Sequence, residues 1–383
     1  MKIVFNRQEL ASTIAPLMCA VSTKVTVPAA EGILIEARYP DVCILTTFDL
    51  EKGMRVTTHA TVIEEGSYII NATKLNQTLR VMSSDEIVLD VNDKMVACIT
   101  SGKSSHRMNA LVGADFPAIP KLENDYAFIV KQCDLKEMFG QTMYAMGVND
   151  QRNVLNGTFV KIFNDRITMV ACDNFKLAKC ERTIDIHSEN EQSGSIRYAF
   201  IVPVKTVNEL YKLLSDDEDE TVRIFMTRKN IVFEIGDIIF FSRLIEGEYL
   251  DYDRIIVKGH KHTLEMDRLE LISALERAAL ITEEKITNAL RSHVKLTFGG
   301  GLLKITASSS AGSTYDEIEI DDIGETFTIG FNNRYLINSI RACDSDVVKI
   351  SLSSPLSAMN IEPNEEKEGQ EEIFMLLPVR LKD

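Results

Sequence analysis

Three segments of the chain, about 130 residues apart, carry one pattern of apolar and basic positions, and recurrence at a fixed period has to be explained before any single motif. They are IINATKLNQTLRVM at 69–82, IVPVKTVNELYKLL at 201–214 and GFNNRYLINSIRA at 330–342. With Ile70, Val202 and Phe331 aligned, Arg80, Lys212 and Arg341 coincide. So do Thr73, Lys205 and Arg334, seven residues earlier. At roughly 100° per residue this is nearly two helical turns, so the two positions share a face. Leu75 and Leu79, Val207 and Tyr211, and Leu336 and Ile340 fall broadly on the opposite side. Each segment therefore reads as a strand end, a turn and a helix that is apolar behind and, Thr73 apart, basic in front.

The flanking sequence repeats as well. In the first third, residues 6–21 place Leu10, Ile14, Leu17 and Val21 at helical spacing, and 32–36 and 42–47 form a hairpin about Tyr39-Pro40-Asp41. A second hairpin, 86–91 and 95–100, turns at Asn92-Asp93. The middle third gives a helix over 135–146, strands 157–163 and 166–171 about Asn164-Asp165, and strands 221–226 and 231–235 about Arg228-Lys229-Asn230. The last third gives a helix over 264–280 with Leu271, Leu275 and Ala278 inward, strands 294–298 and 302–306 about three glycines, strands 347–352 and 359–362, an acidic loop over 364–372 and a final strand, IFMLLPVRL. Linkers are expected near 120–125 and 258–262. The reading is an α+β fold of three tandem domains, 1–123, 124–258 and 259–383, each with two helices packed on antiparallel sheet. Sheets joined edge to edge along the chain would hide strands that otherwise invite aggregation.

Composition sharpens the functional question. With 45% hydrophobic and 26% charged residues the chain is of the soluble globular class, and its net charge is −15. An acidic sum argues against ordinary nucleic-acid binding, yet the three helices hold local cationic stripes. One basic helix is usually a solvated face; three at matching positions suit a uniform polyanion, where phosphate contacts fix position without reading bases. Contacts of this kind are weak, with dissociation constants of roughly 10⁻⁴ to 10⁻⁶ M at cellular salt. A second anchor or topological enclosure is then required, and two three-domain arcs with complementary ends would close a ring through a symmetric dimer.

Other chemistry finds little support. Cys19, Cys43, Cys98, Cys133, Cys172, Cys180 and Cys343 make no C-x-x-C pair and read as reduced structural thiols of a cytoplasmic protein. The run SDDEDE at 215–220 lacks calcium-loop spacing, the triple glycine lacks a following Lys-Ser/Thr, and His260 and His262 have no spaced metal partners. Asp49 and Asp173, at equivalent places in two repeats, could be a carboxylate pair but read more simply as turn caps. The N-terminus is not a signal peptide, and no run of about 18 apolar residues suggests a membrane span. No catalytic residues, cofactor or metal are expected. A repeat-built peptide-binding adaptor that never meets DNA is the alternative.

Five motifs carry a resemblance: RNVLNG at 152–157, VACDNFKLA at 170–178, RLIEGEYLDYDRI at 243–255, IGFNNRYL at 329–336 and LLPVRL at 376–381. In their joint order, over essentially the whole chain, they resemble the β subunit of bacterial DNA polymerase III, the sliding-clamp family. The resemblance implies a head-to-tail homodimeric ring of six similar domains around duplex DNA, without catalytic activity. It implies partners too: the polymerase III α subunit, the clamp loader, and other polymerases and repair proteins that dock by short linear motifs. The family's docking pocket maps onto Leu155, Cys172, Asn174, Phe175, Lys176, Leu177, Leu250, Arg254 and Ile255. From the last third it takes Ile286, Asn332, Tyr335, Leu356 and Ala358, then Met375, Leu376, Leu377, Pro378, Val379 and Arg380. Asn174, Phe175 and Leu250 stand where family members often carry Gly, His or Tyr, and Pro. The family's dimer edge maps onto Lys103, His106, Arg107 and Met108, facing Leu280, Ile281 and a strand bearing Asp316, Glu317 and Glu319. Lys24 and Arg152 lie on matching DNA loops, and join Arg80, Lys205, Lys212, Arg334 and Arg341 as DNA-contacting candidates.

Overall fold

The computed structural model describes the chain except residues 23–26, 121, 123–126, 189–196, 228, 283–292, 311 and 382–383. Contacts gather the chain into two compact units. The first holds Met1–Cys133, Ile186–Ser193 and Lys212–Leu244, and the second holds Asp134–Asp185, Gly194–Tyr211 and Ile245–Asp383.

In the first unit, helix α1 (Arg7–Leu17) starts where the Asn6 side chain accepts the N–H groups of Gln8 and Glu9, and it buries Leu10, Ile14 and Leu17. Helix α2 (Ala72–Val81) follows strand Gly66–Asn71 without an intervening turn; Asn71 caps it by accepting the N–H of Lys74. Leu75 and Leu79 point into the core and α2 packs on α1. The strands form one 14-stranded sheet with antiparallel pairings. It is continuous because Lys52–His59, from the first third of the sequence, pairs with Ile238–Arg243, from the second. Gly53 makes that approach possible: a Cβ there would meet the Phe241 ring at 2.1 Å. That ring in turn packs on Phe48, centroids 5.6 Å apart.

Most of helices α3 (Gln132–Thr142) and α4 (Val204–Leu213) belongs to the second unit, with α5 (Tyr252–Ile255), α6 (Arg268–Thr282) and α7 (Asn333–Ala342). An eight-stranded sheet is joined in the same manner: Lys176–Thr183 pairs antiparallel with Gln370–Leu376, from Lys176 opposite Leu376 to Arg182 opposite Gln370. A four-stranded sheet completes the unit, with Ser313–Glu319 at one edge and Phe327–Asn332 at the other. The expected joining of sheets edge to edge thus occurs twice. Contact units and sequence repeats cut the chain differently because each joint carries strand pairing across a repeat boundary.

Three local expectations need correction. The final strand is Gln370–Leu376: it takes in the end of the expected acidic loop and stops before Leu377, so PVRL lies outside it. Residues 264–267 are not helical but belong to strand His262–Asp267; Leu264 and Met266 are buried while Glu265 is exposed, a period of two that outweighs helix propensity. The helix begins at Arg268, with Asp267 accepting the N–H of Glu270 at 2.7 Å. On α4 the inward positions are Val207 and Leu210, whereas Tyr211 is 38% exposed. Its ring lies 5.8 Å from the Lys136 ammonium, at the boundary between core and surface. None of the seven cysteines is in a disulfide. Burial pushes the thiols of Cys43, Cys180 and Cys343 up to about 12, which keeps them protonated and inert.

Candidate partner cleft and basic helices

In the second unit the turn after strand Arg166–Cys172 is built by Asp173. One carboxylate oxygen accepts the N–H groups of Phe175 (2.7 Å) and Lys176 (2.9 Å), and the other pairs with the Lys176 ammonium. Lys176 is buried, its Nζ 4.6 Å from the centre of the Tyr335 ring. Asp49 repeats the arrangement in the first unit, capping Glu51 and Lys52 and pairing with the Lys52 ammonium at 2.9 Å. Both aspartates spend their oxygens on their own turns, in keeping with turn caps.

Beneath this turn lies an apolar cluster that includes Leu155, Cys172, Leu177, Tyr249, Ile256, Ala358 and Met375, with Leu250 packed partly buried against it. Tyr249 stacks on Phe159 with centroids 5.0 Å apart. Five expected pocket residues, Leu155, Cys172, Leu177, Ala358 and Met375, are therefore buried beneath the surface. Leu376 is buried as well. Exposed among the expected residues are Asn174, Phe175, Arg254, Ile255, Leu356, Leu377 and Arg380; Pro378 and Val379 are half-buried. The Arg254 guanidinium pairs with Asp251 at 2.9 Å. The Asn332 side chain accepts the N–H of Tyr335, capping α7, and so has a structural task of its own. Ile286 lies outside the described residues.

At this turn opens a cleft of about 760 Å³, lined by Tyr144, residues 146–152, residues 173–176, and Arg334, Tyr335 and Asn338 of α7. It gathers Arg152, Asn174, Phe175, Lys176, Arg334 and Tyr335, which the sequence had divided between peptide and DNA roles. The Phe175 and Tyr335 rings lie 6.3 Å apart. Missed in the sequence were Tyr144, Val148 and Asp150. Tyr144 donates from its hydroxyl to Ser339 Oγ at 3.1 Å, a partner far along the chain. Val148, an apolar residue beside Asn149 at positive φ, was the one local sign of an exposed loop. The turn 173–176 is held to the last third by backbone: Leu377 N–H donates to Phe175 C=O at 2.8 Å.

The recurrent helix positions, Thr73, Arg80, Lys205, Lys212, Arg334 and Arg341, are all exposed. Arg80, Lys212 and Arg341 stand in the last turns of α2, α4 and α7, where cations complement the helix dipole. That stabilisation cannot explain Lys205 and Arg334, which stand in first turns where a cation opposes the dipole. Arg341 is paired with Glu276 of α6. Lys24 lies outside the described residues.

Both strands expected at the dimer edge have a free side among the described residues. Strand Ser104–Val112 pairs along its first part with Val96–Ser101, but only Ala110, Leu111 and Val112 have partners on the other side. Lys103, His106 and Arg107 are exposed there, and Met108 half-buried. Beside this edge a groove of about 760 Å³ is lined by His106, Arg107 and Met108 together with Lys74, Gln77, Thr78 and Val81 of α2. In the second unit, strand Ser313–Glu319 has one neighbour. Its Asp316 is already held by both oxygens on Arg277, at 2.8 Å each, which leaves Glu317 and Glu319 as the edge carboxylates. Leu280 on α6 is 80% exposed, and Ile281 half-buried.

Among the described residues no group of three or more His, Cys, Asp or Glu is placed to hold a metal ion. No helix among the described residues is long and apolar enough to cross a membrane. Family models described as the N-terminal, central and C-terminal domains of the DNA polymerase III beta subunit match residues 1–120, 129–251 and 253–377. The chain is 30% identical to the beta sliding clamp of Chlamydia muridarum, covering 100% of both chains. It superposes on the DNA polymerase III subunit beta of Pseudomonas aeruginosa with a TM-score of 0.87 at 25% identity, covering 99% of this chain and 100% of that one. The DNA polymerase sliding clamp of Bacillus subtilis shares the fold, with a TM-score of 0.90 at 24% identity and 100% coverage of both. Recurrent units, antiparallel sheets and matches running the length of the sequence agree, and the chain belongs to the DNA polymerase III beta-subunit family, the beta sliding clamps.

Proposed function

We propose that this chain works as a homodimeric ring that encircles duplex DNA and tethers polymerases to it without catalysing a reaction. The domains would be 1–123, 124–258 and 259–383, six to a ring. The observation that carries the reading is the recurrence of exposed cations on three helices of a chain whose net charge is −15, including two at first turns where helix stability disfavours them. Such cations make sense facing a polyanion. Weak phosphate contacts permit sliding, and enclosure supplies retention. Arg80, Lys205, Lys212, Arg334 and Arg341, with Arg152 and Lys24, would face the duplex. The cleft and its apolar surroundings would take linear motifs of the polymerase III α subunit, the clamp loader, and other polymerases and repair proteins. A cytoplasmic site of action goes with that role.

Retention on nicked circular DNA, lost on linearisation, tests the enclosure; equal retention on both forms would favour an adaptor that grips or ignores DNA. Replacing Arg80, Lys205, Lys212 and Arg341 by Ala is expected to flatten the salt dependence of duplex binding by about 0.9 log unit per lost phosphate contact. An unchanged slope would remove these side chains from the DNA face.

Ring closure would add the free edge of strand Ser104–Val112 to the free edge of Ser313–Glu319 in a second copy, with Leu280 of that copy entering the groove beside Met108. Lys103 and Arg107 would then face Glu317 and Glu319. The double change Lys103→Glu, Arg107→Glu is expected to weaken the dimer by at least about tenfold in sedimentation analysis, since like charges across an interface are costly. Adding Glu317→Lys and Glu319→Lys should restore it. An unaltered dimer in the first variant would place the interface elsewhere.

A further inference from the structure

We infer that Asn174 is a positioning residue that ties Arg152 to the mouth of the cleft, so that a DNA phosphate on Arg152 and a peptide in the cleft strengthen one another's binding. The inference rests on the sliding-clamp reading and on Arg152 facing the duplex.

The Asn174 side chain is used at both ends. Its Oδ1 accepts from Arg152 Nη2 at 2.5 Å, and its Nδ2 donates to Asp150 Oδ2 at 3.0 Å. An amide offers its acceptor and its donor on two separate atoms, one for each partner: an aspartate would repel Asp150, and a glycine would offer neither. Asp150 is itself fixed. Its Oδ1 accepts the N–H of Arg152 at 2.8 Å, and its own N–H and C=O are both bonded by the Asn156 side chain, at 2.8 and 3.0 Å. That loop therefore has a firm base, and Asn174 joins it to the turn 173–176 across the cleft lining.

The turn is anchored on its other sides, by Asp173 to the N–H of Phe175 and by the Leu377 N–H to the Phe175 carbonyl. Asn174 is its exposed tip, and next to it the Phe175 ring is 54% exposed. Arg152 is also exposed. A phosphate offers Arg152 two charged acceptors in a fork geometry that the neutral amide oxygen cannot match. A guanidinium drawn to the duplex must give up Asn174 and its weaker pairing with the Asp150 carboxylate, 3.5 Å from its Nε, and withdraw from the cleft lining. Room is vacated at the mouth, and the tip carrying Phe175 loses one of its ties. A peptide that needs this room then binds more tightly when DNA is present, and by linkage DNA binds more tightly when the peptide is present.

The test titrates the full-length protein with a fluorescein-labelled peptide bearing two leucines and a phenylalanine, the side-chain chemistry suited to an apolar surface. Titrations run with and without a saturating short duplex at low salt, and duplex binding is read in the same samples. Wild type is expected to bind the peptide about fivefold tighter with duplex present, at the lower end of typical couplings. Asn174→Ala should bind duplex yet show one peptide affinity in both conditions. Combining it with Arg152→Ala should change the coupling no further, because the two act through one bond. A residue that merely shaped the turn would shift both affinities equally and leave their ratio intact. Equal or weaker peptide binding in duplex-bound wild type, or coupling retained in Asn174→Ala, overturns the inference alone. Absence of duplex binding in wild type would overturn the sliding-clamp reading and this inference with it.

Discussion

Leu377→Asp is expected to weaken docking of an apolar partner peptide by about thirtyfold, the scale of losing one interface hot spot. Leu377 is 41% exposed and follows directly on the buried Met375 and Leu376, so its side chain adds apolar surface where the buried cluster reaches solvent. Its backbone N–H bonds Phe175, which holds the side chain in place without filling it with a partner. A carboxylate there would have to be desolvated against apolar peptide groups, whereas in the free protein it stays in water. The thermal midpoint should therefore hardly move, because a surface substitution of this sort lies within about 0.5 kcal/mol. Peptide affinity by fluorescence anisotropy, beside a melting curve, checks both halves. Undiminished affinity would place the docking surface away from Leu377. A large loss of stability would mean that Leu377 is part of the fold instead.

How far the sequence foretold this depended on what kind of information each feature needs. The three strand–helix units were legible because a helix face and its strand are set locally: Asn71 and Asn332 cap their helices, and Leu75, Leu79, Leu336 and Ile340 point inward as their spacing requires. The boundary between Tyr211 and Leu210 was not, since both fit the apolar face and only packing decides which is covered. Residues 264–267 were misread because an alternating tetrapeptide next to a long helical pattern is absorbed by it. For the site, the sequence named candidate residues but not their depth. By residue type Leu155 and Leu177 suit a pocket wall or a core equally, and burial, a property of the whole fold, puts both inside. Tyr144, Val148 and Asp150 escaped notice because their place in the cleft comes from partners such as Ser339 and Asn174, distant in sequence.

The strand joint in the second unit depends on a buried charge cluster, and removing its cation should have the largest effect on stability. Arg182 and Glu372 are both buried, on the two strands whose pairing joins the middle and last thirds of the sequence. Burial pulls the Arg182 pKa down, but the Glu137 hydrogen bonds, at 2.5 and 2.6 Å, with Glu372 at 3.4 Å, more than restore it and hold the guanidinium charged. Glu372 is further satisfied by Gln141 Nε2 at 2.7 Å and by the Asp344 N–H at 3.3 Å. Arg182→Met keeps the aliphatic stem but leaves the Glu372 carboxylate without its cation. Breaking a buried pair on one side costs about 3–5 kcal/mol. For a unit of this size each 1 kcal/mol lowers the midpoint by roughly 2–4 °C, so a drop near 10 °C is expected in calorimetry. The double variant Arg182→Met, Glu372→Leu discriminates the cause. If the uncompensated charge is at fault, replacing both partners by apolar groups should recover most of the loss, because the intact pair repays little beyond its own desolvation. A double variant no more stable than the single one would shift the weight to the hydrogen bonds that Arg182 and Glu372 share with Gln141, whose amide would then be the true joint between the strands and α3.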